Sequence, residues 1–187
     1  MLKKTIFSVF ITLLLILSSG CSKDKQKSKE ANELKPTNEY VLTSTTNKKF
    51  TVIKEKDGFK LKGAKDKVVI FDIFATWCPP CRKAARHLSS LQKKYKDNLI
   101  VIGITIEDNI DNEKLKEFKK TYGANYVLVN SKINHVLADK IVDSLKLGDR
   151  YPIPLMVLYK DGKYITHYVG SIEEEFVESD IKRALKL

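Results

Sequence analysis

Two apolar runs constrain this chain more than any other feature. Lys67 to Ala75, KVVIFDIFA, and Asn98 to Ile106, NLIVIGITI, are nearly continuous stretches rich in β-branched residues. Strands buried on both faces read this way. Between them Ala84, Leu88, Leu91 and Tyr95 recur at spacings of four, three and four, with Arg, Lys and Gln elsewhere. That pattern predicts a helix with one apolar stripe. Strand, helix, strand of this length is a right-handed parallel crossover. Chemistry in such sheets collects beyond the carboxyl ends of the strands.

The remaining pattern extends the same layout. A second helix is predicted from Asn112 to Tyr122, with Leu115, Phe118 and Tyr122 on one side and Gly123 as its stop. Tyr126 to Asn130 suits a short strand, and Lys132 to Leu147 a third helix carrying Ile133, Leu137, Ile141 and Leu145. LMVLY, an Asp161-Gly162 turn and YITHYV predict a hairpin. Ser171 and Glu174 suggest a capping box for a last helix, with Phe176, Val177, Ile181, Ala184 and Leu185 facing the core. Glu39 to Leu61 reads as short strands with a turn at Asp57-Gly58. The expected class is α/β, a central mixed sheet with helices covering it and an N-terminal extension of short strands.

The first residues read as an export signal. Lys3 and Lys4 precede an apolar run from Ile6 to Leu17, which is short for a membrane span. Ser18, Ser19 and Gly20 then lead to Cys21. Small residues before a cysteine resemble a bacterial lipobox, which implies cleavage before Cys21 and a diacylglycerol on its thiol. The expected organisation is a signal at 1–20, a flexible tether at 21–37 and one domain at 38–187. The tether is Lys-rich and carries Leu34 as its one large apolar residue, too little to fold. Its r.m.s. reach is about 20–25 Å. Removing Lys3 and Lys4 from a formal charge of +11 leaves +9. A basic surface suits anionic lipid headgroups or acidic partners. No nucleic-acid motif accompanies the charge, so nucleic acid is not an expected partner.

If Cys21 is lipidated, Cys78 and Cys81 are the cysteines that remain. A bridge across two residues closes a tiny loop and removes little unfolded-state entropy, so stapling is a poor use for the pair. The pair falls just past the first apolar strand, at the start of the first helix. Unpaired N–H groups and the positive end of the helix dipole favour a thiolate there. Cys78, at the tip, is the expected nucleophile, and Cys81, one turn later, the resolving thiol. Pro79 and Pro80 suit a first turn, whose N–H groups have no helical partner. They also remove two donors that would otherwise approach the Cys78 sulfur, which should keep that thiol only moderately acidic. The alternative use is copper or zinc binding. Zinc wants four ligands, no second C-x-x-C exists, and His87 lies about 180° round the helix from Cys78. His135 and His167 would reach the pair only through the fold.

Asp72 interrupts the first apolar strand six residues before Cys78. A carboxylate in a central strand is costly unless neutral or paired. Desolvation would raise its pKa and let it exchange a proton with the resolving thiol near neutrality. The competing reading is an Asp72 that reaches a sheet edge or pairs with a lysine.

FDIFATWCPPC resembles the active-site segment of the thioredoxin superfamily, and YPIPLMVLYKDGKYITHYVG resembles its later stretch. The resemblance spans roughly Glu39 to Leu187. It implies a thioredoxin-like fold with no cofactor beyond a redox-active Cys78–Cys81 disulfide. It implies that Pro154 is a cis-proline facing that disulfide and that the Ile153 backbone pairs with an extended substrate segment. It implies that Trp77, Pro79 and Pro80 flank the site and that Gly170 leaves room for substrate. Signal, tether and the segment between Glu107 and Asn130 resemble the membrane-anchored TlpA/ResA/CcmG-like thiol-disulfide oxidoreductases. That likeness implies a reductase of exported proteins, apocytochrome c haem-site cysteines leading, fed by a membrane thiol donor and anchored on the extracytoplasmic side. Two departures stand out: Asp72 where that subfamily often has Asn, and Leu155 after the cis-proline where thioredoxin itself has Thr. A periplasmic oxidase or isomerase is the alternative within the class.

Overall fold

The computed structural model describes residues 38–187. The expected signal and tether, with Cys21, lie outside the described residues. Among the described residues no helix is long and apolar enough to cross a membrane.

Eight strands and four helices follow in the order β1 (Glu39–Thr43), β2 (Lys49–Glu55), β3 (Gly58–Leu61), β4 (Val68–Phe74), α1 (Pro79–Lys94), β5 (Leu99–Thr105), α2 (Asn112–Tyr122), β6 (Val127–Val129), α3 (Asn134–Leu145), β7 (Leu155–Lys160), β8 (Lys163–Val169) and α4 (Glu174–Leu185). The main sheet runs β6-β5-β4-β7-β8. β4, β5 and β6 are parallel, and β7 and β8 run antiparallel to them. Every residue of β4 is buried, as its apolar run requires.

Alternation along β4 divides the core in two. Val68, Ile70 and Phe74 face a cluster with Leu88 and Leu91 of α1, Leu115 and Phe118 of α2, and Val177 and Ile181 of α4. Val69, Phe71 and Ile73 face Leu137, Ala138 and Ile141 of α3, together with Tyr40, Leu42, Val52 and Phe59 of the N-terminal strands. Those strands form an antiparallel sheet, β1-β2-β3. A Ser44–Val129 bridge carries the chain from β1 onto the β6 edge.

Most expected elements are present, with three corrections. The β2–β3 hairpin pairs Glu55 with Gly58, so Lys56 and Asp57 form the loop and Gly58 opens β3. A Cβ on Gly58 would lie 2.6 Å from the Gly162 carbonyl oxygen, so that glycine answers to a close approach between hairpins as well as to its φ of 153°. The capping box does not form. Glu173 is the N-cap of α4, and Ser171 lies outside the helix with no hydrogen-bond partner for its hydroxyl among the described residues. The acidic start of α4 instead ties to α1, Glu173 to Lys83 at 2.7 Å and Glu174 to Ser90 at 2.6 Å. Phe176 is 61 % exposed rather than in the core, because Val177 and Ile181 define the buried stripe one residue round the helix.

Candidate active site

β4 ends at Phe74, and Ala75, Thr76 and Trp77 carry the chain to Cys78, the N-cap of α1. Pro79 and Pro80 occupy N1 and N2, so the first amide able to reach the cap is that of Cys81. It donates to Cys78 Sγ at 3.3 Å. The prolines therefore remove two donors and leave one. Cys78 and Cys81 form a disulfide with Cα atoms 5.3 Å apart.

In this disulfide form Cys78 is 2 % exposed and Cys81 is 1 % exposed. Cys78 is thus not at an exposed tip, because its sulfur is bonded inward to Cys81 and lies 3.7 Å from the Ile153 carbonyl oxygen. The exposed border is Trp77, Pro79 and Pro80. The Ile153–Pro154 peptide is cis. Gly170 N–H donates to the Pro154 carbonyl at 2.8 Å, and a Cβ on Gly170 would meet nothing within 4 Å. All six residues that the resemblance places around the pair are therefore gathered at one end of the sheet or on the loop that faces it.

Asp72 lies two residues before the end of β4, on the α1 face, and is 1 % exposed. It reaches neither an edge nor a lysine. The Tyr126 hydroxyl donates to its Oδ2 at 3.0 Å, while its buried Oδ1 has no hydrogen-bond partner among the described residues. Burial raises the Asp72 pKa to about 7, against the lowering effect of the Tyr126 hydrogen bond.

Sequence reasoning missed the residues that brace the loop before Cys78. Glu107, just past β5, accepts from both the backbone N–H and the hydroxyl of Thr76 and pairs with Lys114 at 2.8 Å. Arg82 Nε donates to the Thr76 carbonyl at 3.1 Å, and its guanidinium lies 5.0 Å from the centre of the Tyr122 ring. A groove of about 230 Å³ opens beside Trp77, walled by Phe118 and Tyr122 and rimmed by Arg82, Lys114 and Glu117. The signal for Glu107 was its place at the carboxyl edge of a buried strand. The signal for Tyr126 was Gly103, a glycine inside an apolar strand, which marks a close neighbour. Among the described residues no group of three His, Cys, Asp or Glu side chains is placed to hold a metal ion.

The sequence pattern of the AhpC/TSA family matches residues 43–154. Thiol-disulfide oxidoreductase ResA of Bacillus thuringiensis strain Al Hakam is 27 % identical over 187 residues, covering 96 % of this chain and 96 % of that protein. A thioredoxin family thiol:disulfide interchange protein from Chlorobium tepidum TLS has a similar structure, with a TM-score of 0.60, 22 % identity, and coverage of 80 % of this chain and 95 % of that one. StoA from Bacillus subtilis has the same fold at a TM-score of 0.55, 14 % identity, and coverage of 76 % of this chain and 95 % of that one.

Proposed function

The chain belongs to the AhpC/TSA family, and from that premise we propose that it passes electrons from its own dithiol to disulfides in exported proteins. Its enzyme class is thiol-disulfide oxidoreductase. The observation that carries the proposal is the Cys78–Cys81 disulfide at the start of α1, beside the cis-Ile153–Pro154 peptide and on the same face of the sheet as a buried carboxyl.

In the reduced enzyme the Cys78 thiolate attacks one sulfur of a substrate disulfide. A mixed disulfide forms and the first substrate thiolate leaves. Asp72 takes the Cys81 proton, and the Cys81 thiolate attacks Cys78 Sγ. The second substrate thiolate then departs, and its protonation completes a two-electron reduction. An extended substrate segment pairs with the Ile153 backbone. Trp77, Pro79 and Pro80 border its path, and Gly170 keeps the approach clear. A membrane thiol donor restores the dithiol. The leading substrates are apocytochromes c with paired haem-site cysteines, met on the extracytoplasmic side by a domain tethered through lipidated Cys21.

The deciding experiment is the reduction potential of the Cys78–Cys81 pair, measured with reduction of a disulfide-bonded CxxCH peptide. A potential towards the thioredoxin value of about −270 mV, with reduction of the peptide, supports the reductase reading. A potential near the oxidant value of about −120 mV makes the protein an oxidase or isomerase instead. Stoichiometric copper or zinc after anaerobic purification, without peptide reduction, would make it a metal carrier. Cys81→Ser should trap the mixed disulfide, and Cys78→Ser should form none.

A further inference from the structure

We propose that Tyr126 is a positioning residue for thiol-disulfide exchange: it holds Asp72 by Oδ2 and leaves Oδ1 as the oxygen that takes up and returns the Cys81 proton. This rests on the proton-carrying role of Asp72 set out above. Four observations carry it.

The pair is sealed: Tyr126 is 4 % exposed and Asp72 1 % exposed, with the hydroxyl 3.0 Å from Oδ2. Oδ1 is equally buried and has no partner among the described residues. The direction of the hydrogen bond is fixed by chemistry. Burial, then the Asp72 charge, pushes the Tyr126 phenol well above its ordinary range, so it stays protonated and donates to the Asp72 carboxylate; an acid protonated on Oδ1 keeps Oδ2 as a carbonyl acceptor for the same bond. The contact therefore survives each proton transfer.

The third observation is the space that admits the ring. Gly103 of β5 is the register partner of Asp72. A Cβ there would lie 2.7 Å from Leu128 Cδ2, 3.0 Å from Tyr126 Cε2 and 3.1 Å from Phe74 Cε1. The missing side chain is what lets the Tyr126 ring lie alongside the carboxyl.

The fourth is the surroundings. Cys78 and Cys81 of α1 belong to the same hydrophobic cluster as Tyr126, with Met156 from β7, Leu115 and Phe118 from α2, and Val177 and Ile181 from α4. Lys119 of α2 reaches only the Tyr126 backbone carbonyl, at 2.9 Å. Tyr126 is the side chain whose hydrogen bond opposes the effect of burial on the Asp72 carboxyl. In the exchange step Cys81–SH and the Asp72 carboxylate become Cys81 thiolate and a carboxylic acid protonated on Oδ1. The departing substrate thiolate receives that proton, and Asp72 returns to its charged form.

The test is Tyr126→Phe, which keeps the ring and removes the hydroxyl. Two readouts are taken: the Asp72 carboxyl titration by carbon NMR in the disulfide form, and the pH profile of mixed-disulfide resolution. A hydrogen bond to a charged group is strong enough to predict an upward move of about one pH unit in both, hence about fivefold slower resolution at neutral pH. Fluorotyrosine at 126, a stronger donor, should move both downward, a result no loss of folding can imitate. An Asp72 titration that stays in place in Tyr126→Phe overturns the inference. An Asp72→Asn enzyme that loses the acid limb, while Tyr126→Phe keeps it where it was, overturns the inference alone. An Asp72→Asn enzyme that retains the limb overturns the role of Asp72 itself, and the inference with it.

Discussion

A carboxyl sealed in a central strand costs the fold stability once it is charged, and Asp72 makes that cost readable. Its folded-state pKa is raised to about 7, chiefly by burial, from the ordinary 3.8. Between those two values the folded protein holds a proton that the unfolded chain has released. Stability therefore falls as pH rises from about 4 to about 7, by up to about 4 kcal/mol, and stays low above that. Asp72→Asn keeps an acceptor for Tyr126 and removes the charge. The variant should match the wild type at pH 4, be stabler by about 2–4 kcal/mol at pH 8, and exchange disulfides more slowly. Denaturant unfolding of the disulfide form at both pH values checks this, and equal stability gaps at the two would refute it. The position was legible because an acid in an apolar run is conspicuous. Its partner was not, because Tyr126 is 54 residues away in sequence and meets Asp72 only through the β5–β6 pairing.

The start of α1 shows how an element sets the chemistry of one atom. Cys78 caps the helix, and with Pro79 and Pro80 at N1 and N2 its sulfur receives one amide, that of Cys81. Restoring donors should stabilise the thiolate. Pro79→Ala/Pro80→His is expected to lower the Cys78 pKa by roughly one unit and make the pair more oxidising. Ultraviolet thiolate absorbance across pH reads the first effect and glutathione equilibration the second; an unchanged or higher pKa would reject the account. β5 poses the opposite question, what one added methyl group does. Gly103→Ala sets a Cβ against Leu128, Tyr126 and Phe74 in a close-packed cluster. Overpacking of this kind costs about 1–3 kcal/mol, measurable as a lower unfolding midpoint. Elements with one strong periodicity were legible from sequence, such as α2 ending at Gly123 with φ 68°. The start of α4 was not. Its Ser171 and Glu174 fit a capping pattern, but ties across to α1 claim Glu173 and Glu174 instead.

On the scale of the whole molecule, the two faces of the main sheet serve different ends. The face toward α1, α2 and α4 carries Asp72, Tyr126 and the cysteines. The opposite face is covered by α3 and by the N-terminal sheet, whose short strands were legible from sequence. Where that sheet docks was not legible, because it depends on long-range contacts such as the Ser44–Val129 bridge and the Phe59–Tyr159 edge contact at 5.8 Å. Phe59 is 1 % exposed and packs with Tyr40 and Tyr159 in the cluster that β4 shares. Phe59→Ala should therefore cost about 3–5 kcal/mol. Because the N-terminal sheet packs on the same strand that leads into Cys78, it should not melt as a separate unit. The expected result is one cooperative transition at a lower midpoint, followed alike by far- and near-ultraviolet circular dichroism. Below that midpoint the rate of disulfide exchange and the Asp72 titration should match the wild type, since the substitution lies behind the sheet from both. A separate early transition for the N-terminal strands, or a shifted acid limb in a folded Phe59→Ala protein, would show that this division between the faces is wrong.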